Sequence, residues 1–245
     1  MLESKARQLA IDTRLRLGLQ STDYFDVYRS VISLGITCVK RPLESSISGA
    51  TFKTNKVKLI LVNSSKTLGH QNFTIAHELY HCLHDENLVS RACKTEKFAR
   101  ASSSEQVADL FATYLLMPED AIFNQLRLRK KLDVKLTLAD IINLEQFFSV
   151  SRKAMCWKLE DLKLITREQS EKYCVNVKQS ARSLGKNTDL YTSTDDKIII
   201  SDYAEKASEA LQKNLITDSR YEEILADADL LEKVMEVPEE ADVVD

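Results

Sequence analysis

The chain holds four histidines, His70, His77, His81 and His84, all within residues 70–84. The string His77-Glu78-Leu79-Tyr80-His81 is an HExxH. On a helix, residues four apart lie above one another on one face, so both imidazoles can reach a single metal ion. Glu78 projects beside them, placed to activate an attacking water. Two imidazoles and a carboxylate suit zinc, and a catalytic site keeps a further position open for that water. The chemistry expected is hydrolysis of a peptide bond with one Zn2+ per chain, Glu78 serving as base and then as proton donor to the leaving amine.

A third ligand must come from elsewhere. A metzincin would continue HExxHxxGxxH, but positions 84 and 87 are His84 and Asn87, which excludes that class. A glutamate on a second helix is the alternative, and Glu105 is the candidate. Asp109, one turn later on the same face, would hydrogen-bond the outer nitrogen of a ligand histidine and fix its tautomer. Glu105 has a competing use, reaching back to Ser102 in a capping box. His84 reads as a solvated or supporting histidine. His70 reads as a surface residue in a loop, from which it could assist the transition state. His70, Tyr80 and Tyr114 are the candidates for substrate or oxyanion contacts.

The elements that must position these groups follow from periodicity and punctuation. Residues 2–17 read as a surface helix, and 23–34 as a second helix stopped by Gly35. Strands are expected at 36–39, 49–52 and 57–62, then a polar connection over 63–72. The strand 57–62 is expected to form the edge on which an extended substrate adds by main-chain pairing. Ala76, Leu79, Tyr80 and Leu83 give 73–84 a helical apolar face. A further helix runs from Ser102 to about Met117, and Pro118 opens the next. Residues 137–148 and 151–164 read as two helices around a tight turn at Ser149-Val150-Ser151, the outline of a helix-turn-helix. Its second helix carries Arg152, Lys153, Trp157 and Lys158. The reading favoured is packing on the peptidase or gripping a protein partner rather than reading DNA, with Trp157 as a core anchor. Residues 180–200 read as polar and irregular apart from a short strand at 197–200. Helices over 203–213 and 218–231 close the chain.

Bulk properties agree. A 44% hydrophobic content builds a core, while five Gly and three Pro are too few for a loop-dominated protein. A net charge of -3 gives no global basic field for nucleic acid. Bases outnumber acids across 121–165, and acids dominate 218–245 as a solvated tail. Five cysteines, an odd number with wide spacing and no CxxC, speak against a disulfide framework and for a reducing compartment. No signal-peptide core and no membrane-spanning run is visible, so a cytoplasmic location without membrane attachment is expected.

Phe73 to Asp85 (FTIAHELYHCLHD), followed by Glu105 to Pro118 (EQVADLFATYLLMP), resembles the ImmA/IrrE family of metallopeptidases. The approach through Gly49–Phe52 and Leu61–Asn63, and the segment Ser201 to Leu225, are similar as well. The resemblance implies a thermolysin-like site with His77, His81 and Glu105 as zinc ligands and Glu78 as base. Two positions depart from the pattern: Tyr80 stands where a small residue is common, and Asp109 where Asn is common. The family also implies a regulatory protease that cleaves or inactivates a helix-turn-helix repressor or antitoxin-type partner in phage, mobile-element or stress circuits.

The fold class expected is therefore α+β: a zincin-like domain over 1–120, a helix-turn-helix-like region over 121–185 and a C-terminal helical extension over 186–245. Rival readings are a DNA- or repressor-binding regulator with a structural or sensory metal, and an interaction subunit whose peptidase site has decayed. Substrate, trigger and oligomeric state are left open by the sequence.

Overall fold

The computed structural model describes residues 2–43, 46–55, 57–85, 90–94, 103–132 and 134–227. It is α+β, as expected. Five strands form one mixed sheet: β1 (Thr37–Arg41), β2 (Ile47–Lys53), β3 (Lys58–Asn63), β4 (Ser90–Lys94) and β5 (Ile198–Ile200), in the order β4-β2-β3-β1-β5. β1 runs parallel to β3, with Val39 opposite Leu61, and the other pairings are antiparallel. The expected substrate edge is thus corrected. β3 is hydrogen-bonded on both sides, to β2 and β1, and offers no edge; the outer strands are β4 and β5.

α1 (Leu2–Arg16) packs on α4 (Ser103–Leu116), and α3 (Leu68–His84) lies against β2, β3 and α4. α2 (Val27–Ser33) is capped by Asp26, whose carboxylate accepts from the backbone of Tyr28 and Arg29. The core is continuous from Ala6 and Ala10 of α1, through Ile60 and Val62 of β3, to Ile75 and Leu79 of α3 and Phe111 and Leu115 of α4. α3 begins five residues before the expected start at Phe73. Its first turns are polar in sequence because their side chains bond distant backbone: Gln71 donates to the carbonyls of Ser64 and Lys66, and Asn72 to that of Ser149. Local periodicity cannot register such partners.

α5 (Glu119–Leu128) follows Pro118. α6 (Leu138–Phe148) starts with a Thr137–Asp140 capping box and ends at Ser149 in the left-handed conformation, φ 53°. α7 (Arg152–Asp161) is capped by Ser151. The α6–α7 turn docks on the start of α3 at Gly69, where an added Cβ would come within 2.8 Å of the Ser151 nitrogen. Arg152 and Lys158, expected among the cations of the second helix, are 2% and 0% exposed. Trp157, expected as a core anchor, is 38% exposed, and this expectation is corrected too. Its position on α7 lies between the buried Cys156 and Lys158, so the helix turns it outward.

α8 (Arg167–Tyr173), α9 (Val177–Ser183) and a single 3-10 turn (Asp189–Tyr191) occupy a stretch partly read as irregular. The chain then crosses the start of α3, where the Leu68 amide donates to the Thr192 carbonyl, and delivers β5 to the sheet. α10 (Tyr203–Gln212) and α11 (Asp218–Asp227) pack on each other. No helix among the described residues is long and apolar enough to cross a membrane.

Candidate metal centre

α3 and α4 bring the motif residues together. His77 and His81 stack one turn apart on the buried face of α3, with ring centroids 5.2 Å apart. Glu105 sits in the first turn of α4, and one carboxylate meets both rings: Oε2 lies 3.2 Å from His77 Nε2 and Oε1 3.4 Å from His81 Nε2. The ligand atoms of these three residues all lie within 4.8 Å of one another. Burial alone would raise the Glu105 pKa, but the hydrogen bonds and charge of His77 and His81 outweigh it and hold the carboxyl well below its usual range. Ser102, the alternative capping partner of Glu105, lies outside the described residues.

The outer ring nitrogens are tied as well. His77 Nδ1 donates to Asp109 Oδ1 at 2.8 Å, the geometry expected of Asp109. His81 Nδ1 donates to Asp85 Oδ2 at 3.2 Å, and the same oxygen accepts from Ser104 Oγ at 3.0 Å. Asp85 was not singled out from sequence. The available signal was its spacing, four residues after His81, although it lies just past the helix end. Both rings are thereby held with Nε2 toward Glu105. Two imidazoles and a carboxylate converging through Nε2 and carboxylate oxygens form a donor set that fits a borderline-soft divalent ion.

Glu78 is fully buried beside this set. Its Oε2 accepts from Thr51 Oγ1 at 2.7 Å, while Oε1 is buried without a hydrogen-bond partner among the described residues. β2 makes room for it through Gly49. A Cβ there would stand 3.1 Å from Glu78 Oε1 and 2.5 Å from Thr74 Cγ2, so any side chain would intrude on the carboxylate.

The remaining candidates are placed differently. His70 belongs to the first turn of α3 rather than a loop, and its Nε2 hydrogen-bonds Ser48 Oγ at 2.9 Å. Burial, aided by Lys66 and Lys153, lowers its pKa and favours the neutral imidazole. Its spacing of seven from His77 puts it on the same helix face, two turns away. Tyr80 is buried against His84 and Phe111. Tyr114 is not brought to the cluster. Nine residues after Glu105 it faces the other side of α4, where its hydroxyl donates to Glu3 at 2.6 Å between Arg7 and Lys158. His84 also serves packing, with Phe111 against its ring and Thr13 Oγ1 3.4 Å from its Nε2.

A histidine pair on one helix, met by a glutamate from a second helix beside a small mixed sheet, is the arrangement of a zincin-like metallopeptidase. The family model described as "Peptidase_M78: IrrE N-terminal-like domain" matches residues 33–160, just over half of the chain. The chain belongs to this ImmA/IrrE family of peptidases. No curated protein matches it significantly.

Proposed function

We propose that this chain is a zinc-dependent endopeptidase and acts as a regulatory protease on a helix-turn-helix repressor or antitoxin-type partner. The observation that carries the enzymatic reading is the convergence of His77, His81 and Glu105 beside the buried, half-satisfied carboxylate of Glu78. His77, His81 and Glu105 would hold the ion, with Asp109 and Asp85 orienting the two rings. When bound, zinc supplies Lewis acidity, lowering the pKa of water towards about 7 and polarising a carbonyl.

The protein's own groups do the rest. Thr51 holds one oxygen of Glu78, which leaves the other to take a proton from the attacking water and return it to the leaving amine. Gly49 leaves that oxygen uncrowded on the β2 side. The outer strand nearest Glu78 is β4, where Cys93 is registered with Gly49, and an extended substrate would add there by main-chain pairing. Family membership supports the repressor-type substrate. The burial of Arg152 and Lys158 supports a protein partner over DNA, because neither cation can reach a phosphate.

The first experiment is elemental mass spectrometry of the wild type beside His81→Ala and Glu105→Ala. About one zinc per chain, lost in both variants, is expected. A wild type that takes up no zinc, even when incubated with it, would overturn the enzyme. Co-expression with repressors encoded nearby, scored for cleavage against Glu78→Gln, then tests the substrate class. Tight binding without cleavage would sink that part of the reading.

A further inference from the structure

α5 ends in a surface that the proposed mechanism does not use. Residues 127–135 read RLRKKLDVK, five bases against one acid. The helix stops at Leu128, and Lys130, in the left-handed conformation at φ 56°, turns the chain away. Lys131 is paired, its Nζ 3.4 Å from Asp140 Oδ2. Arg127, Arg129, Lys130 and Lys135 are exposed and make no ion pair among the described residues. By contrast, Arg167, Lys206, Lys213 and Arg220 each meet an acid one turn away. Three aliphatic side chains stand among the unpaired cations: Leu128 is 70% exposed, Leu132 39% and Val134 52%.

Cations at the end of a helix offset its dipole, which accounts for Arg127 and Arg129. It does not account for Lys135 or for the aliphatic groups. A face that mixes unpaired cations with bare aliphatic side chains fits an occupant that mixes acids with aliphatic side chains. Residues 228–245 have that composition: seven acids against one base, with seven Leu, Val or Met between them. They continue directly from α11, and eighteen residues can span up to about 60 Å. A compact domain of this size has a radius of gyration of about 17 Å, so the segment is long enough to reach the end of α5. Attachment to the same chain also gives it an effective concentration of about millimolar, an advantage over any free anionic partner.

We propose that the acidic segment 228–245 docks on the basic, aliphatic face at residues 127–135 of the same chain. Its carboxylates meet Arg127, Arg129, Lys130 and Lys135, and its aliphatic side chains cover Leu128, Leu132 and Val134. Ion pairs at such an exposed face are individually weak, so several must act together with the aliphatic contacts. The docking depends neither on the metal nor on peptidase activity.

Carbodiimide, which joins a carboxylate directly to an amine, tests this on the full chain. Isotope-labelled and unlabelled protein are mixed, treated at low salt and mapped by mass spectrometry. The expected result is links from Lys130 or Lys135 to acids of 228–245 within one isotopic form. They should exceed links from other exposed lysines such as Lys163 and Lys178. In 1 M salt, where the Debye length falls to about 3 Å, they should fade. A second readout is cleavage of 228–245 by a glutamate-specific protease. Combining Arg127→Gln, Arg129→Gln, Lys130→Gln and Lys135→Gln should speed that cleavage at least about threefold at low salt. Links spread evenly over the exposed lysines would overturn the proposal, as would equal cleavage of variant and wild type. Links only between isotopic forms would place a second copy on the face and overturn it too. So would an absence of links in a wild type that sediments with phosphatidylserine vesicles when the variant does not, which would assign the face to lipid.

Discussion

The polar cluster between α3 and α4 and the one joining α6 to α7 are built from similar side chains but end in opposite states. Around Arg152, the Glu145 carboxylate is bound by both Nε and Nη2, Tyr191 donates to it at 2.5 Å, and Nη1 finds the Tyr173 carbonyl. Glu145 is 0% exposed, yet both of its oxygens are used. Around Glu78, one carboxylate oxygen is buried without a partner among the described residues, and three ligand atoms lie within 4.8 Å of one another. A buried unsatisfied acceptor costs about 1–3 kcal/mol. A completed network of this kind holds helices together. An incomplete one keeps capacity for a proton or an ion, and that distinguishes the two regions better than charge or burial does.

The largest effect is expected at Glu78. Glu78→Gln preserves shape and an oxygen for Thr51, so zinc content and melting temperature should match the wild type. Cleavage should fall by at least about 10²–10⁴-fold, the range of a positioned acid–base group. Single-turnover cleavage within tenfold of wild type would remove Glu78 from the mechanism.

At Arg152 the expected loss is in stability. Arg152→Met leaves Glu145 buried and unpaired, at a cost of about 3–5 kcal/mol. Replacing both members, Glu145→Leu with Arg152→Met, should recover much of that loss, because no charge is then stranded. Urea unfolding of the three proteins decides it. A double variant as unstable as the single one would show that the pair itself, not its completeness, holds the helices. Zinc binding by the folded fraction should not change in either variant.

What the sequence made legible divides along the same line. HExxH on a helix and Glu105 with Asp109 one turn apart are spacings within single elements, and local periodicity reads such spacings directly. His77, His81 and Glu105 lie together in the structure. Properties set by neighbours were not legible. Strand 57–62 was visible as a strand, but its place between β2 and β1 depends on pairings with distant segments. Arg152 and Lys158 were legible as cations of the second helix but not as buried ones, because their burial depends on Glu145, Glu119 and Asp161 reaching them. Trp157 looked like core for the converse reason. Asp85 was missed because its role comes through the helix end and a hydroxyl on α4, and His70 because the polar start of α3 hid its helix.

A smaller effect is expected at Asp85, beside the ligand pair. Asp85→Ala removes the acceptor for His81 Nδ1 and the link to Ser104. Zinc affinity, measured by competition with a chelator, should weaken by about 10–100-fold. Asp109→Ala should weaken it similarly through His77. Unchanged affinity in Asp85→Ala, with zinc-binding wild type alongside, would reduce Asp85 to a helix-end contact.

The smallest effect is expected where a charged pair closes the far edge of the sheet. Lys40 of β1, nearly buried, meets Asp196 Oδ2 at 2.8 Å, just before β5. Burial alone would raise the Asp196 pKa, but the Lys40 ammonium and the Thr194 hydroxyl outweigh it and hold the carboxyl below its ordinary value. A carboxylate depressed in the folded state stabilises above its unfolded pKa of about 3.9, and that contribution fades as pH falls through the folded value. The loss should be about 1 kcal/mol or less, as for a partly exposed pair. Hydrogen exchange of residues 192–200 should therefore rise below about pH 4 relative to the core of α3, once corrected for intrinsic rates. In Asp196→Asn, exchange should already be raised at pH 6 and should change little with acid. If the wild type and Asp196→Asn respond alike to acid, the pair does not secure β5, and the hydroxyl-to-backbone bond from Ser64 to the Asp196 carbonyl holds that edge instead.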